Sequence, residues 1–152
     1  MSKHKKYAVL FWVLTAVCFA LIFYFSSDTA DESSSKSNLI VQFLINIFGD
    51  NRFTSFIVRK SAHFLEFTGT ALIMSAAFYF TLNKNRLYLP IICTSLYAVT
   101  DEVHQIFVDG RSCELRDWVI DTLGAALGTL AFWVIFTLIN KAKDFRKRRK
   151  NK

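Results

Sequence analysis

The sequence predicts an all-α protein: an integral membrane bundle of four transmembrane helices, with a short interfacial helix in the first outer loop. Three observations carry that expectation. Hydrophobic residues make up 53% of the chain and aromatics 16%, with sixteen Phe against one Pro and five Gly. A soluble chain of 152 residues has little core in which to place so much Phe, whereas lipid accepts it freely. Four segments have the roughly twenty residues that a helix needs to cross ~30 Å of hydrocarbon. Uninterrupted runs of this length exceed barrel strands, and a backbone in lipid must satisfy its own hydrogen bonds, so the segments are helices. Finally, Lys and Arg gather on alternate sides of those segments, as they do around spanning helices.

The elements follow in chain order, read as one membrane domain over residues 1–152. Residues 7–25 carry no charge and follow Lys3, Lys5 and Lys6. This run exceeds the usual 7–15 residues of a signal-peptide core, so a retained helix is expected. Residues 28–38 are polar and serine-rich, hence expected to be extended. Leu39, Ile40, Phe43, Leu44, Ile47 and Phe48 then recur with helical period up to Gly49. That stretch is too short to span and is expected to lie at the interface. The second spanning helix, 62–82, carries His63 and Glu66 in its first two turns. The third, 87–107, is apolar until Asp101, and the fourth occupies 118–139.

Orientation follows from the basic residues. Thirteen Lys and Arg fall on the side of the N-terminus, the 83–86 loop and the tail 140–152, against six on the other side. A multi-pass protein with both termini cytoplasmic is expected. The net charge of +7 does not point to nucleic acid, because eight of the nineteen basic residues sit in that tail, directly after an apolar run. Such a tail is an anchor against anionic membrane lipid. Cys18, Cys93 and Cys113 have no CxxC spacing and define neither a disulfide framework nor a zinc site.

Three separate regions deliver ionisable groups to one side at one depth. Helix two begins with Arg59, Lys60, His63 and Glu66, and helix three ends with Asp101, Glu102, His104 and Gln105. Helix four begins after Arg111, Glu114 and Arg116, with Asp117 and Asp121. A carboxylate within the membrane costs about 2.5–3.5 kcal/mol even on the lenient scale, so isolated ones mark partners or function. Arg59, His63 and Glu66 share a stripe, as do Asp101, His104 and Gln105. Asp117, Asp121, Gly124 and Gly128 share another, and Gly-x-x-x-Gly lets helix backbones approach closely. The polar stripes are therefore expected to face one another.

These residues support several readings. Arg59, Lys60, Arg111 and Arg116 suit an anionic head group, with Gln105 and Asp117 beside them. His63, Glu66, Asp101, His104 and Asp121 then become candidates for general acid and base. Alternatively, the His and carboxylate groups hold a divalent metal, although their spacing matches no tight ligand motif and no cofactor is assigned. In a third reading the groups only pair with one another and tie the bundle together, which makes the chain a non-catalytic binding or shielding module. An ion path is disfavoured, since residues 74–81 and 87–92 hold no Asp, Glu, His, Lys or Arg.

Arg59-Lys60-x-x-His63-x-x-Glu66-Phe67, Asp101-Glu102-x-His104-Gln105-x-Phe107-x-x-Gly110-Arg111 and Asp117-x-x-x-Asp121-x-x-Gly124 resemble the VanZ-like family. Ser26-Ser27 at the end of the first helix also fits its pattern. Phe67 stands where the family often has Tyr, and Asp109 where Pro often precedes the Gly-Arg. The resemblance implies a bacterial cytoplasmic-membrane protein and a link to teicoplanin, a glycopeptide antibiotic to which one member is associated with resistance. It implies no mechanism. It agrees with the residues on an outward-facing site near lipid head groups and lipid-linked cell-wall precursors.

Overall fold

The computed structural model describes residues 2–27 and 51–150; the side chains of residues 3, 51–56 and 59 lie outside that description. The expected interfacial helix, 39–48, also lies outside the described residues. Four helices and no strand are found among the described residues: α1 (Lys3–Ser26), α2 (Asn51–Leu82), α3 (Tyr88–Gln105) and α4 (Leu115–Lys150). Ser2 caps α1, its hydroxyl accepting the Lys5 N–H at 3.4 Å. At the far end of α2, Asn83 takes φ 52° and its N–H bonds the Tyr79 carbonyl at 2.8 Å. Asn tolerates that left-handed geometry at a helix terminus.

Two helices are longer than the apolar runs suggest. α2 begins at Asn51 rather than 62, and α4 runs on through the basic tail to Lys150. The added residues include no Pro or Gly to stop them, and Lys, Arg and Ala are good helix formers. Three helices are long and apolar enough to cross a membrane: His4–Ser26, Lys60–Leu82 and Leu115–Lys150. α3 falls outside that set. It has 18 residues, and its last turn and a half is Asp101, Glu102, His104 and Gln105.

The packing is that of a bundle solvated by lipid. Apolar residues buried inside are mostly small, Ala71, Ala76, Ala77, Ala98 and Ala125, with Phe67 and Met74 between them. Large apolar side chains such as Val13, Leu96, Leu123 and Leu130 point outward. Without water to drive apolar groups inward, helices associate through close backbone contact instead. α2 makes the largest interface with α4 and the next with α1, and α3 touches all three others. The α2–α4 seam is closed by two glycines. A Cβ on Gly124 would stand 2.6 Å from the Phe64 carbonyl oxygen, and one on Gly128 would overlap the Thr68 carbonyl oxygen.

The helices alternate in direction and leave two ends of different chemistry. At one end Phe80 gathers His4, Tyr7 and Phe11, and Tyr79 meets Phe136 at 4.3 Å. Trp12 donates to Thr81 Oγ1 there at 3.0 Å. The other end collects the ionisable residues.

Candidate functional site

At the polar end each helix is tied to its neighbour by a buried polar contact. Gln105, on the last turn of α3, donates from Nε2 to Ser26 Oγ of α1 at 3.1 Å and to Asp101 Oδ2 at 3.2 Å. All three residues are buried. Lys60 of α2 pairs with Asp117 in the first turn of α4. Glu102 accepts the backbone N–H of Glu114 through Oε2 at 2.7 Å. That N–H lies at the start of α4, where unsatisfied donors and the helix dipole favour a carboxylate.

The loop between α3 and α4 folds back over these contacts. The Arg111 N–H bonds the Val108 carbonyl at 3.1 Å across Asp109-Gly110, and Gly110 has φ 76°. A positive φ at the third position of a tight turn is what glycine supplies without a steric penalty. Asp109 occupies the preceding position without preventing the turn. Arg111 is thereby brought over the helix ends.

The result is one small polar cavity of about 40 Å³, lined by Lys60, His63, Gln105, Arg111, Glu114 and Asp117 among others. At ~10–15 Å³ per water it holds a few water molecules, the scale of a single phosphate or carboxylate group rather than of a whole glycopeptide. Cations from α2 and from the loop share this space with a histidine and two acids. Such a set can bind an anion by charge-assisted hydrogen bonds and can move a proton to or from it.

The remaining predicted residues surround this cavity without lining it. Asp101 lies behind Gln105, 2% exposed. Asp121 is 1% exposed, and neither of its carboxylate oxygens has a hydrogen-bond partner. Asp101, Glu102, Asp117 and Lys60 all lie near enough to act on its charge. His104 turns toward α1, its ring centroid 4.3 Å from that of Phe23. Glu66 lines a separate apolar groove between α1 and α2, with Cys18, Ile22 and Gly69. Arg111 nevertheless acts on the charge of both Glu66 and Asp101. Arg59 sits on α2 by its backbone, its side chain lying outside the description.

Sequence spacing missed two participants. Glu102 is offset from the α3 stripe, so spacing assigns it no partner, yet it is 3% exposed and fastens the start of α4. Glu114 contributes both that N–H and a wall of the cavity, and Ser112 donates to its carboxylate at 3.3 Å. The only legible signal was the position of Glu114 just before α4. Tyr97 belongs to the core, stacked on Phe19 and donating to the Phe19 carbonyl at 2.6 Å. All three cysteines are free thiols. Among the described residues no three His, Cys, Asp or Glu side chains converge as a set of metal ligands.

No curated protein and no solved structure matches the chain. A family model does, over residues 11–137, a stretch that includes all four helices' shared core and every residue of the cavity. The chain is a member of the VanZ/LLP1 family.

Proposed function

We propose that the chain is a multi-pass bacterial cytoplasmic-membrane protein, with α1–α4 all crossing and both termini inside. Its polar end faces outward and binds or modifies an anionic lipid-linked or cell-wall substrate. α3 crosses because its polar turn is shielded by α1, α2 and α4 rather than exposed to lipid. The observation that carries the reading is the convergence of Lys60, His63, Arg111 and Asp117 on one cavity of head-group size. Arg111 and Lys60 hold the anion, His63 exchanges a proton with it, and Asp101, Asp121 and His104 set the charge behind it. Because one member of the VanZ-like family is associated with teicoplanin resistance, lowered glycopeptide susceptibility is the phenotype to measure.

The deciding experiment replaces His63, Asp101 and His104 singly with Ala and scores teicoplanin susceptibility against membrane abundance. Loss of the phenotype at wild-type abundance supports the reading; if all three variants only lower abundance, the polar residues serve assembly. Sidedness is tested on Cys113, which is exposed in the α3–α4 loop. A membrane-impermeant maleimide labels it in intact cells if that end faces outward.

A second reading, a non-catalytic binding or shielding module, has its own support. Lys60–Asp117, Gln105–Ser26 and Glu102–Glu114 each join two elements, as purely structural contacts would. In that case His63→Gln is tolerated while Arg111→Ala is not.

A further inference from the structure

Beside the polar cavity, α2 and α4 part to form an open apolar groove of about 530 Å³, lined by Ile57, Lys60, Ser61, Phe64, Leu65, Arg116 and Ile120. That volume falls in the ~300–1,000 Å³ range of small-molecule sites. Its floor is set by the glycine seam, where the Phe64 and Thr68 backbones meet Gly124 and Gly128. One turn above Gly124 stands Ile120, which lines the groove. Lys60 is common to the groove and the polar cavity. An apolar trough thus leads directly into the anion-sized space.

Charge distinguishes this groove from the other one on α2. The α1–α2 groove is equally apolar, but its charged lining residue is Glu66, which repels an anion. The α2–α4 groove carries Lys60 and Arg116. Lys60 already meets Asp117, whereas Arg116 is exposed and makes no ion pair among the described residues. A guanidinium beside an apolar trough suits a phosphate attached to a hydrocarbon chain.

We infer that the α2–α4 groove holds the hydrocarbon chain of a lipid whose phosphate is met by Arg116 and Lys60, so that the substrate class of the polar end is a lipid phosphate. The inference rests on the proposed anion-binding role of that end and adds where the chain lies. The lipid enters sideways from the bilayer between α2 and α4, its head reaching the cavity past Lys60. A water-soluble fragment lacking the chain forgoes the groove.

The test uses the purified full chain in detergent, with bound lipid counted by native mass spectrometry. The probes are dioleoyl phosphatidic acid, dioleoyl phosphatidylcholine and glycerol 3-phosphate. Phosphatidic acid is expected to be retained over the other two. Ile120→Trp, which fills the groove, and Arg116→Gln, an exposed change that spares folding, each weaken it by about tenfold, one lost charge-assisted contact or its equivalent in apolar contact. Gly69→Leu places its side chain in the α1–α2 groove, where a Cβ meets nothing within 4 Å, and leaves binding unchanged. Wild-type binding by Arg116→Gln and Ile120→Trp, or loss in Gly69→Leu alone, overturns the assignment. If glycerol 3-phosphate binds as tightly as phosphatidic acid, the chain site falls while the anion site stands. If no phosphate probe binds, both fall.

Discussion

The bundle closes its two ends with opposite materials. At the Phe80 end, rings from α1, α2 and α4 stack within about a ring's width of one another, and one Trp12–Thr81 hydrogen bond joins α1 to α2. At the other end, Lys60, Asp101, Glu102, Gln105 and Asp121 are buried among the same helices. Aromatic packing is thus a sufficient way for this sequence to finish a helix bundle. Burying acids and cations carries a desolvation cost that apolar side chains of similar volume avoid. The contrast sets the two readings against each other: the polar contacts join the helices at this end, yet apolar packing does the same at the other end with less desolvation.

Four perturbations sharpen or break that contrast. The largest expected effect lies between the ends, at the seam both depend on. Gly128→Leu drives a side chain into the Thr68 carbonyl, and backbone cannot yield as a flexible side chain can. Loss of the folded, monodisperse protein in detergent is expected, and a normal elution profile would mean that α2 and α4 do not rely on close approach.

Next comes Asp121→Leu, which gives the polar end the chemistry of the aromatic one. The carboxylate it removes is buried with neither oxygen hydrogen-bonded. Thermal stability is expected to stay level or rise by about 1–4 kcal/mol, while phosphate binding and any teicoplanin phenotype are lost. A clear fall in stability would make the acids structural and break the comparison. Trp12→Phe, at the aromatic end, removes one hydrogen bond and keeps the ring. It lowers stability by about 0.5–1.5 kcal/mol without touching ligand binding. Gly69→Ala is the smallest change, since its Cβ meets open space. A gain of up to about 1 kcal/mol from helix propensity is expected, with binding unaltered.

Much of the architecture was legible because lipid imposes simple rules. Apolar length located α1 and the apolar parts of α2 and α4, and the Gly124–Gly128 spacing identified the seam and put Asp121 on the face above it. Helix ends were less legible. Residues 51–61 and 140–150 are polar enough to leave the membrane yet contain nothing that ends a helix, so apolar length alone stopped too soon in both places. The site was legible as a level in the bundle, but its partition was not. Helical spacing says which residues share a face, whereas rotation against neighbours decides what that face meets. His104 consequently turned to Phe23 and Glu66 to the α1–α2 groove, although both had been grouped with His63. Glu102 was masked by its offset from the stripe, since its partner is a backbone N–H supplied by a loop that folds back.

α4 is one uninterrupted helix of 36 residues. At 1.5 Å per residue it is a rod of about 54 Å, well beyond the ~30 Å hydrocarbon thickness. Asp117, which pairs with Lys60, and the basic turn of Lys147, Arg148, Arg149 and Lys150 are therefore near opposite tips of a single rod, with the glycine seam between them. The length of that rod, and not a linker, fixes how far the Lys60–Asp117 contact stands from the basic turn. A residue inserted into or removed from α4 between them therefore changes that spacing by about 1.5 Å and rotates one tip against the other by about 100°.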